Sequence, residues 1–399
     1  MSSIHETKFG THELRWRENG KPKSKTYKSS AEAVAEKARV DRRTAEGRPT
    51  MRRQDVPTLE DFAAEFMAAK RLERSTRSKY LQWLEVHILP DLGHLPLVDL
   101  RPRRLAEWQA ERLAAGAGPA VLGKAQGLLS QILDKAVLPH EYLEANPITA
   151  LQRPGYEKRG HRWLTAAEVE ALRLWFLERD DVLSATLISC LAYVGPRPQD
   201  FLARGWADLT ARPPRWVRRA SPHAGSLRFT SRNSEGEIRP GSKADSEQKD
   251  VVYVPELVLA DFEELRAASP SGGLGLIFPR AKDGKPWTKT DYDNWRKRQP
   301  KKGKDGKVWK LKCFKTAAVE TGLGASLTPY ALRHTAASLY AASDWTHVEI
   351  AYQLRHKPAT SLRYYQHLIQ QAPPKQGGSI DDYIREARGL APERDAASV

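Results

Sequence analysis

LTPYALRHTAASLYAASDWTHVEIAYQLRHKPATSLRYYQHL, residues 327–368, is the stretch on which the reading of this chain turns. It carries Arg333 at the start of an apolar-spaced segment, His356 in LRHKP, and the adjacent tyrosines Tyr364 and Tyr365. Two upstream segments belong with it. LAYVGPRPQDFLARGWADL, residues 191–209, holds Arg197, and GSKADSEQKDVVYVP, residues 241–255, holds Lys243. Two arginines, a lysine, a histidine and a tyrosine suit one kind of chemistry. Attack on a phosphodiester builds negative charge on its non-bridging oxygens. A guanidinium meets that charge with a fixed fork of donors and is always protonated. Preorganised cations aimed at developing charge are usually the largest catalytic contribution. A tyrosine hydroxyl can be the nucleophile, although a free pKa of about 10 means that it needs help. The resulting ester would keep the energy of the broken bond, so resealing needs no ATP. The set has no carboxylate pair for metal-assisted hydrolysis and no GKS/GKT phosphate loop, so neither metal nor nucleotide cofactor is expected.

In this order and context the segments resemble the tyrosine recombinase (phage integrase) family, over roughly residues 160–370. The resemblance implies a DNA strand-transferase that cuts and rejoins DNA through a 3′-phosphotyrosyl bond. It also implies roles, position by position. Arg197 and Arg333 would clamp the scissile phosphate, and Tyr365 would attack it. Lys243 would protonate the departing 5′ oxygen, and His356 would hydrogen-bond a phosphate oxygen. Asp200 stands where the family carries a supporting carboxylate, and His334 would buttress the arginines. The family's spacing of nine from histidine to tyrosine selects Tyr365, with Tyr364 as the alternative. Lys243 is preferred over Lys249 because SKADSEQKDVVYVP looks like the family's hairpin. Two positions depart from the pattern. Tyr330 replaces a usual His or Lys, and a phenol is a poorer proton shuttle near neutral pH. The usual LGH reads LRH, so Arg355 replaces glycine and would either add a phosphate contact or face solvent. Taken singly, an arginine in a basic chain ordinarily sits on a solvated surface. The conjunction in order is what carries the reading.

Composition agrees. The 399 residues hold 65 Lys plus Arg against 49 Asp plus Glu, a net charge of +16. Such a balance favours a polyanionic partner and salt-dependent binding. The length suits about two to four domains. Only Cys190 and Cys313 are present, which fits a reducing compartment without disulfides. The N-terminus, MSSIHETKFGTHELRW, lacks an apolar leader. No run of about 18 apolar residues suggests a membrane span. The expected setting is the cytoplasm of a bacterial host, at the nucleoid.

The expected fold is multidomain and mainly α with small β-sheets. Residues 1–46 read as a small sheet plus helix. HELRWRE and KSKTYK alternate as strands around Asn19-Gly20, and Ser29-x-x-Glu32 opens a helix that Gly47 ends. This resembles the arm-binding domain of some phage integrases, with Arg15, Trp16, Arg17, Lys23 and Lys25 as DNA-contact candidates. Residues 58–152 read as a helical bundle, resembling the family's SAM-like core-binding domain. Its basic face RLERSTRSKY offers Arg71, Arg74, Arg77 and Lys79 to phosphates. Residues 160–372 form the expected mixed α+β catalytic domain. Thr165 caps its first helix, VLSATLISCLAYVG is a buried helix ended by Gly195, and RWVRRA, SLRFT and VVYVP are expected strands. Between Arg296 and Lys312 lie nine basic residues and one acid; Lys301, Lys302 and Lys304 are the DNA-contact candidates there. Residues 373–399 form a tail whose short helix, from Ser379, docks either on a neighbouring protomer or on its own chain.

The resemblance implies a site-specific integrase of a phage or other mobile element, working as a homotetramer on double-stranded attachment-site DNA, with host bending proteins and an excision factor as further partners. Two readings compete with it. One is a non-cleaving DNA-binding protein of the same fold. The other is a type IB-like topoisomerase, which the arm-like N-terminus disfavours.

Overall fold

The computed structural model describes all residues except 1, 19–20, 46–55, 157–161, 218–219, 242–249, 270–274, 298–311, 360, 363–377 and 391–399. The described chain forms two compact units, Met1–Lys158 and Arg159–Val399.

The first unit opens with a three-stranded antiparallel sheet, β1 (Ser3–Glu6), β2 (His12–Glu18) and β3 (Lys21–Tyr27), followed by helix α1 (Ser30–Ala45). Register settles which side chains share a face. Leu14 pairs with Lys25 and Trp16 with Lys23, while Arg15 pairs with Ser24 and Arg17 with Pro22. Side chains alternate across a strand. Leu14 and Trp16 therefore lie on the same side and form a small core with Val40 of α1. Arg15 and Arg17 lie on the opposite, open side.

The rest of this unit is helical, as the apolar spacing predicts. α2 (Leu59–Ala69) is capped by the Thr58 side chain, which accepts from the Asp61 amide. α3 (Arg74–Trp83) runs into a wide π-type turn, Leu84–Ile88, just before Pro90. α4 (Pro102–Ala114) and α5 (Pro119–Val137) each begin with proline, whose missing amide is harmless there. Phe62, Leu105, Trp108, Leu129 and Ile132 close one core between them. No residue of α3 is buried, so its Arg74 and Arg77, together with Arg71 and Lys79 beside them, face solvent.

The second unit opens with α6 (Ala166–Leu177), held by a Thr165–Glu168 capping box. α7 (Val182–Ser189) is buried all round and continues as a π-type turn, Cys190–Val194. Gly195 closes that turn in the left-handed conformation, φ 91°, and Pro198 starts the short helix α8 (Pro198–Phe201). A small sheet in the order β4 (Leu209–Thr210), β5 (Gly225–Arg228) and β8 (Val251–Val254) follows. β6 (Ser231–Ser234) and β7 (Glu237–Pro240) make a separate hairpin. The remaining helices are α9 (Glu256–Ala268), α10 (Lys289–Lys297), α11 (Phe314–Glu320), α12 (Pro329–Ala342), α13 (His347–Leu354) and α14 (Ile380–Ala387). One core joins them, including Tyr193, Phe229, Tyr253, Phe262, Tyr340 and Leu354.

Two sequence expectations change here. The described residues of RWVRRA do not form a strand: Arg215–Trp216 form a turn after Pro213-Pro214, and Val217 bonds back to Pro214. Two successive prolines remove the donors that a ladder requires. The β6–β7 hairpin is absent from the sequence reading. Its Glu235-Gly236 turn, with φ of 57° and 97°, is a positive-φ pair of the kind hairpins use. The flanking strands are polar, so alternation gives no signal.

The tail helix α14 docks on its own chain. Ile380 and Ile384 enter the core of the second unit. Asp381 accepts from the Tyr253 hydroxyl at 2.7 Å and from the Glu256 amide at 2.8 Å. Arg388, at the helix end, donates bidentately to Asp261 at 3.0 and 2.7 Å and to Glu170 at 3.2 Å.

Candidate active site

Arg197 and Arg333 both stand at helix N-termini. Arg197 immediately precedes Pro198 of α8, and Arg333 lies in the first turns of α12 after Thr328-Pro329. The π-type turn before Arg197 sets the frame. Its closing bond runs from the Gly195 amide to the Cys190 carbonyl, five residues back, at 2.9 Å. Three successive carbonyls at this helix end then accept side-chain donors. The Tyr340 hydroxyl donates to Tyr193 at 2.7 Å, Gln353 Nε2 to Val194 at 2.9 Å, and Arg333 Nη1 to Gly195 at 2.9 Å. These bonds satisfy carbonyls that a helix terminus leaves open. They also bolt α12 and α13 to the segment that delivers Arg197.

His356 completes the group. Its Nδ1 lies 3.1 Å from Arg333 Nη2. A guanidinium has no acceptor, so Nδ1 accepts and the ring proton belongs on Nε2. His356 is buried, and burial with the Arg333 and Arg197 charges pulls its pKa down to about 3. A neutral Nε2–H imidazole is a hydrogen-bond donor, not a cation. Arg197 is half-buried and donates through Nη1 to the Arg355 carbonyl at 3.3 Å. The structure thus brings Arg197, Arg333 and His356 into one cluster.

Asp200 is 3 % exposed and sits on α8 beside this cluster. Burial pulls the pKa of two neighbouring arginines, Arg204 and Arg355, below the ordinary value, and the Asp200 charge works against that pull. Arg204, fully buried, donates to the carbonyls of Asp200, Arg228 and Ser231 at 3.0, 2.6 and 2.6 Å. Neither Arg204 nor Gln353 is singled out by the sequence reading. Both look like ordinary polar residues, and only their burial marks them as braces.

Arg355 corrects an expectation. It neither faces solvent nor reaches outward: it is 1 % exposed, and its Nη2 donates to the Phe229 carbonyl at 3.0 Å. Its backbone is left-handed, φ 54° and ψ 60°, as the residue that ends α13. Glycine is the usual residue at such a cap, and an L-residue there costs about 1–2 kcal/mol.

Tyr330 is 48 % exposed, and its ring stands edge-on to the buried His334 ring, centroids 5.2 Å apart. Lys243, Lys301, Lys302, Lys304, Tyr364 and Tyr365 lie outside the described residues. Trp16 is a further correction: at 8 % exposure it belongs to the core and offers little surface to a partner. Lys23 and Lys25 spring from the helix-covered side of their sheet, opposite Arg15 and Arg17, and Lys25 Nζ lies 4.9 Å from the Tyr27 ring centroid. Arg77 uses Nη1 to bond the Met67 carbonyl at the end of α2, at 3.1 Å. No helix among the described residues is long and apolar enough to cross a membrane.

Residues 58–112 match the family described as "Phage integrase, N-terminal SAM-like domain". A comparison with curated proteins returns no match. Among solved structures, the chain is similar to the Tn1549 transposon integrase in complex with transposon right end DNA. That match has a TM-score of 0.59 and 14% identity, covering 77% of this chain and 94% of the other. It is similar to a lambda integrase dimer bound to a COC′ core site, with a TM-score of 0.55, 15% identity and coverage of 90% and 93%. It is also similar to a lambda integrase tetramer bound to a Holliday junction, with a TM-score of 0.55, 16% identity and coverage of 90% and 94%. The described fold is similar to that of these integrases, and residues 58–112 match a phage-integrase SAM-like domain.

Proposed function

We propose that this protein is a site-specific tyrosine recombinase, an integrase that cuts and rejoins DNA through a 3′-phosphotyrosyl intermediate and moves a phage or other mobile element. One observation carries the reading: Arg197, Arg333 and a neutral His356 converge from α8, α12 and the end of α13. Two guanidinium groups and an imidazole N–H are the donors that a five-coordinate phosphate requires. Each is fixed by backbone carbonyls or by its neighbour, so little reorganisation accompanies the reaction. In this reading Tyr365 attacks, Lys243 protonates the leaving oxygen, and Asp200 supports the arginines. Tyr330 adds a phosphate hydrogen bond from its exposed hydroxyl, and His334 holds the Tyr330 ring.

The modules divide the DNA. Residues 1–46 take accessory sites through the open sheet face with Arg15 and Arg17. Residues 58–152 grip the core site, with Arg71, Arg74, Arg77 and Lys79 on phosphates. Residues 160–372 cut it, and Lys301, Lys302 and Lys304 follow the backbone. Four protomers would act together on two double-stranded sites. The similarity to integrases solved on DNA, one of them a tetramer on a Holliday junction, supports this arrangement.

The test uses supercoiled plasmid carrying the DNA that flanks this gene. Protein is added in EDTA, the reaction is stopped with SDS, and covalent protein–DNA adducts are scored. Adducts lost with Tyr365→Phe and retained with Tyr364→Phe are expected. Loss only with Tyr364→Phe would move the nucleophile by one residue. Tight binding to a working attachment site without any adduct would favour a non-cleaving DNA-binding protein.

A further inference from the structure

We propose that Arg355 is a positioning residue, a buried guanidinium that pins the His356-bearing turn to Phe229 and so holds His356 and Arg197 on one phosphate. The inference rests on the recombinase reading for its catalytic consequence. Its geometry stands apart from that reading.

The backbone at Arg355 is left-handed, φ 54°, and glycine would adopt it with less strain. The side chain must therefore contribute something that glycine lacks. It runs inward, 1 % exposed, and donates from Nη2 to the Phe229 carbonyl at 3.0 Å. Its guanidinium centre lies 5.0 Å from the centroid of the Phe229 ring, and Nη2 is 3.7 Å from Asp250.

The anchor is itself rigid. The Phe229 amide bonds the Asp250 carbonyl at 2.6 Å, and buried Arg204 sits 5.0 Å from the same ring. A guanidinium enclosed in this way has few alternative rotamers, so its own backbone is held.

That backbone is what the site uses. The Arg355 carbonyl receives Arg197 Nη1 at 3.3 Å, and the next residue is His356, whose Nδ1 meets Arg333 Nη2 at 3.1 Å. Three donors proposed for the phosphate thus converge on residues 355 and 356. Arg355 touches none of the reacting atoms and acts through its neighbours.

The test compares the full-length chain with Arg355→Gly and Arg355→Lys. Glycine keeps the left-handed backbone and removes the clamp. Lysine keeps the charge and the stem but not the planar fork. The first readout needs no DNA: the ring resonances of isotopically labelled histidine, with His356 assigned by loss of its signal in His356→Asn. In the wild type the His356 ring, facing Arg333 and Arg197, stays neutral down to a pKa of about 3. In Arg355→Gly the loosened ring moves toward the ordinary value of about 6.5, and Arg355→Lys falls between. The second readout is adduct formation at saturating plasmid DNA, set against the dissociation constant for the same DNA. The first-order rate should fall ~100-fold, as a misplacement of about 1 Å can produce, while affinity stays within about twofold of wild type.

A merely structural role would lower melting temperature and leave the His356 titration of the folded protein where it was. An unmoved His356 titration with an unchanged adduct rate in Arg355→Gly overturns the proposal. A shifted titration in a protein whose wild type binds a working attachment site tightly and forms no adduct supports the positioning role and overturns the recombinase reading. Should Arg355→Gly fail to fold, Arg355→Lys carries the same comparison.

Discussion

His356 enters the folded chain as a neutral ring, and that has a measurable cost. Its pKa is depressed to about 3, from burial first and then from Arg333 and Arg197. Between that value and the unfolded value near 6.5, the unfolded chain holds a proton that the folded chain lacks, so stability falls as pH falls through this window. Asp381 has the opposite sign. Burial raises it to about 6, so the folded chain holds the extra proton between about 4 and 6 and stability falls as pH rises there. The two slopes oppose each other over about pH 4–6, each up to ~1.4 kcal/mol per pH unit. Urea unfolding against pH should show it: relative to wild type, His356→Asn tilts the curve toward acid stability and Asp381→Asn tilts it away. Gly195 gives a second residue-scale prediction. A Cβ there would stand 2.8 Å from Ala336 Cβ and clash with Leu354, on a backbone at φ 91°. Gly195→Ala should cost about 1–3 kcal/mol in unfolding and remove most adduct formation, because the carbonyl holding Arg333 would move. Much of this site is legible in the sequence: Gly195 and Pro198 bracket Arg197, and Pro329 precedes Arg333. Arg355 is not, because a charged residue in a polar motif reads as surface and only tertiary packing puts it inside.

The small sheet shows how register sharpens a composition argument. Basic strands suggest DNA contact, yet alternation and pairing divide the candidates between two faces. Arg15→Ala and Arg17→Ala should weaken binding to accessory DNA in a mobility-shift assay. Trp16→Phe should leave binding unchanged while lowering stability, since Trp16 packs on Leu14 and Val40. Equal loss of binding in the folded Trp16→Phe protein would return Trp16 to the contact surface. The tail helix makes a sharper case. Its Ser379–Asp382 capping box is legible in the sequence, but the acceptors for Arg388 come from α6 and α9, more than a hundred residues earlier. Removing Arg388 leaves Glu170 and Asp261 buried with Arg173 as their remaining cation. Arg388→Ala should cost about 3 kcal/mol in urea unfolding, and a loss under ~0.5 kcal/mol would show the pair to be dispensable.

Across the whole molecule, 65 basic against 49 acidic residues give a surplus of +16. Binding to DNA should therefore weaken steeply with salt, by ~10³-fold or more between 50 and 200 mM if at least six phosphates are engaged. Fluorescence anisotropy against salt checks this, and a shallow slope would mean that most of these charges never meet DNA. The wide turn at Cys190–Val194 bears on the chain as a length of polymer rather than as a set of side chains. It accommodates one residue beyond the ordinary helical count immediately before Arg197. Losing a single residue from α7 with the wide turn kept would swing everything after it by about 100° around the helix axis, whereas a deletion taken up by the wide turn would restore regular winding and leave Arg197 where it is. Substitutions along that helix alter packing by degrees, but a one-residue deletion turns Arg197 away unless the wide turn takes it up. Where Arg197 points thus depends on an integer, the number of residues between Asp181 and Gly195, as well as on packing.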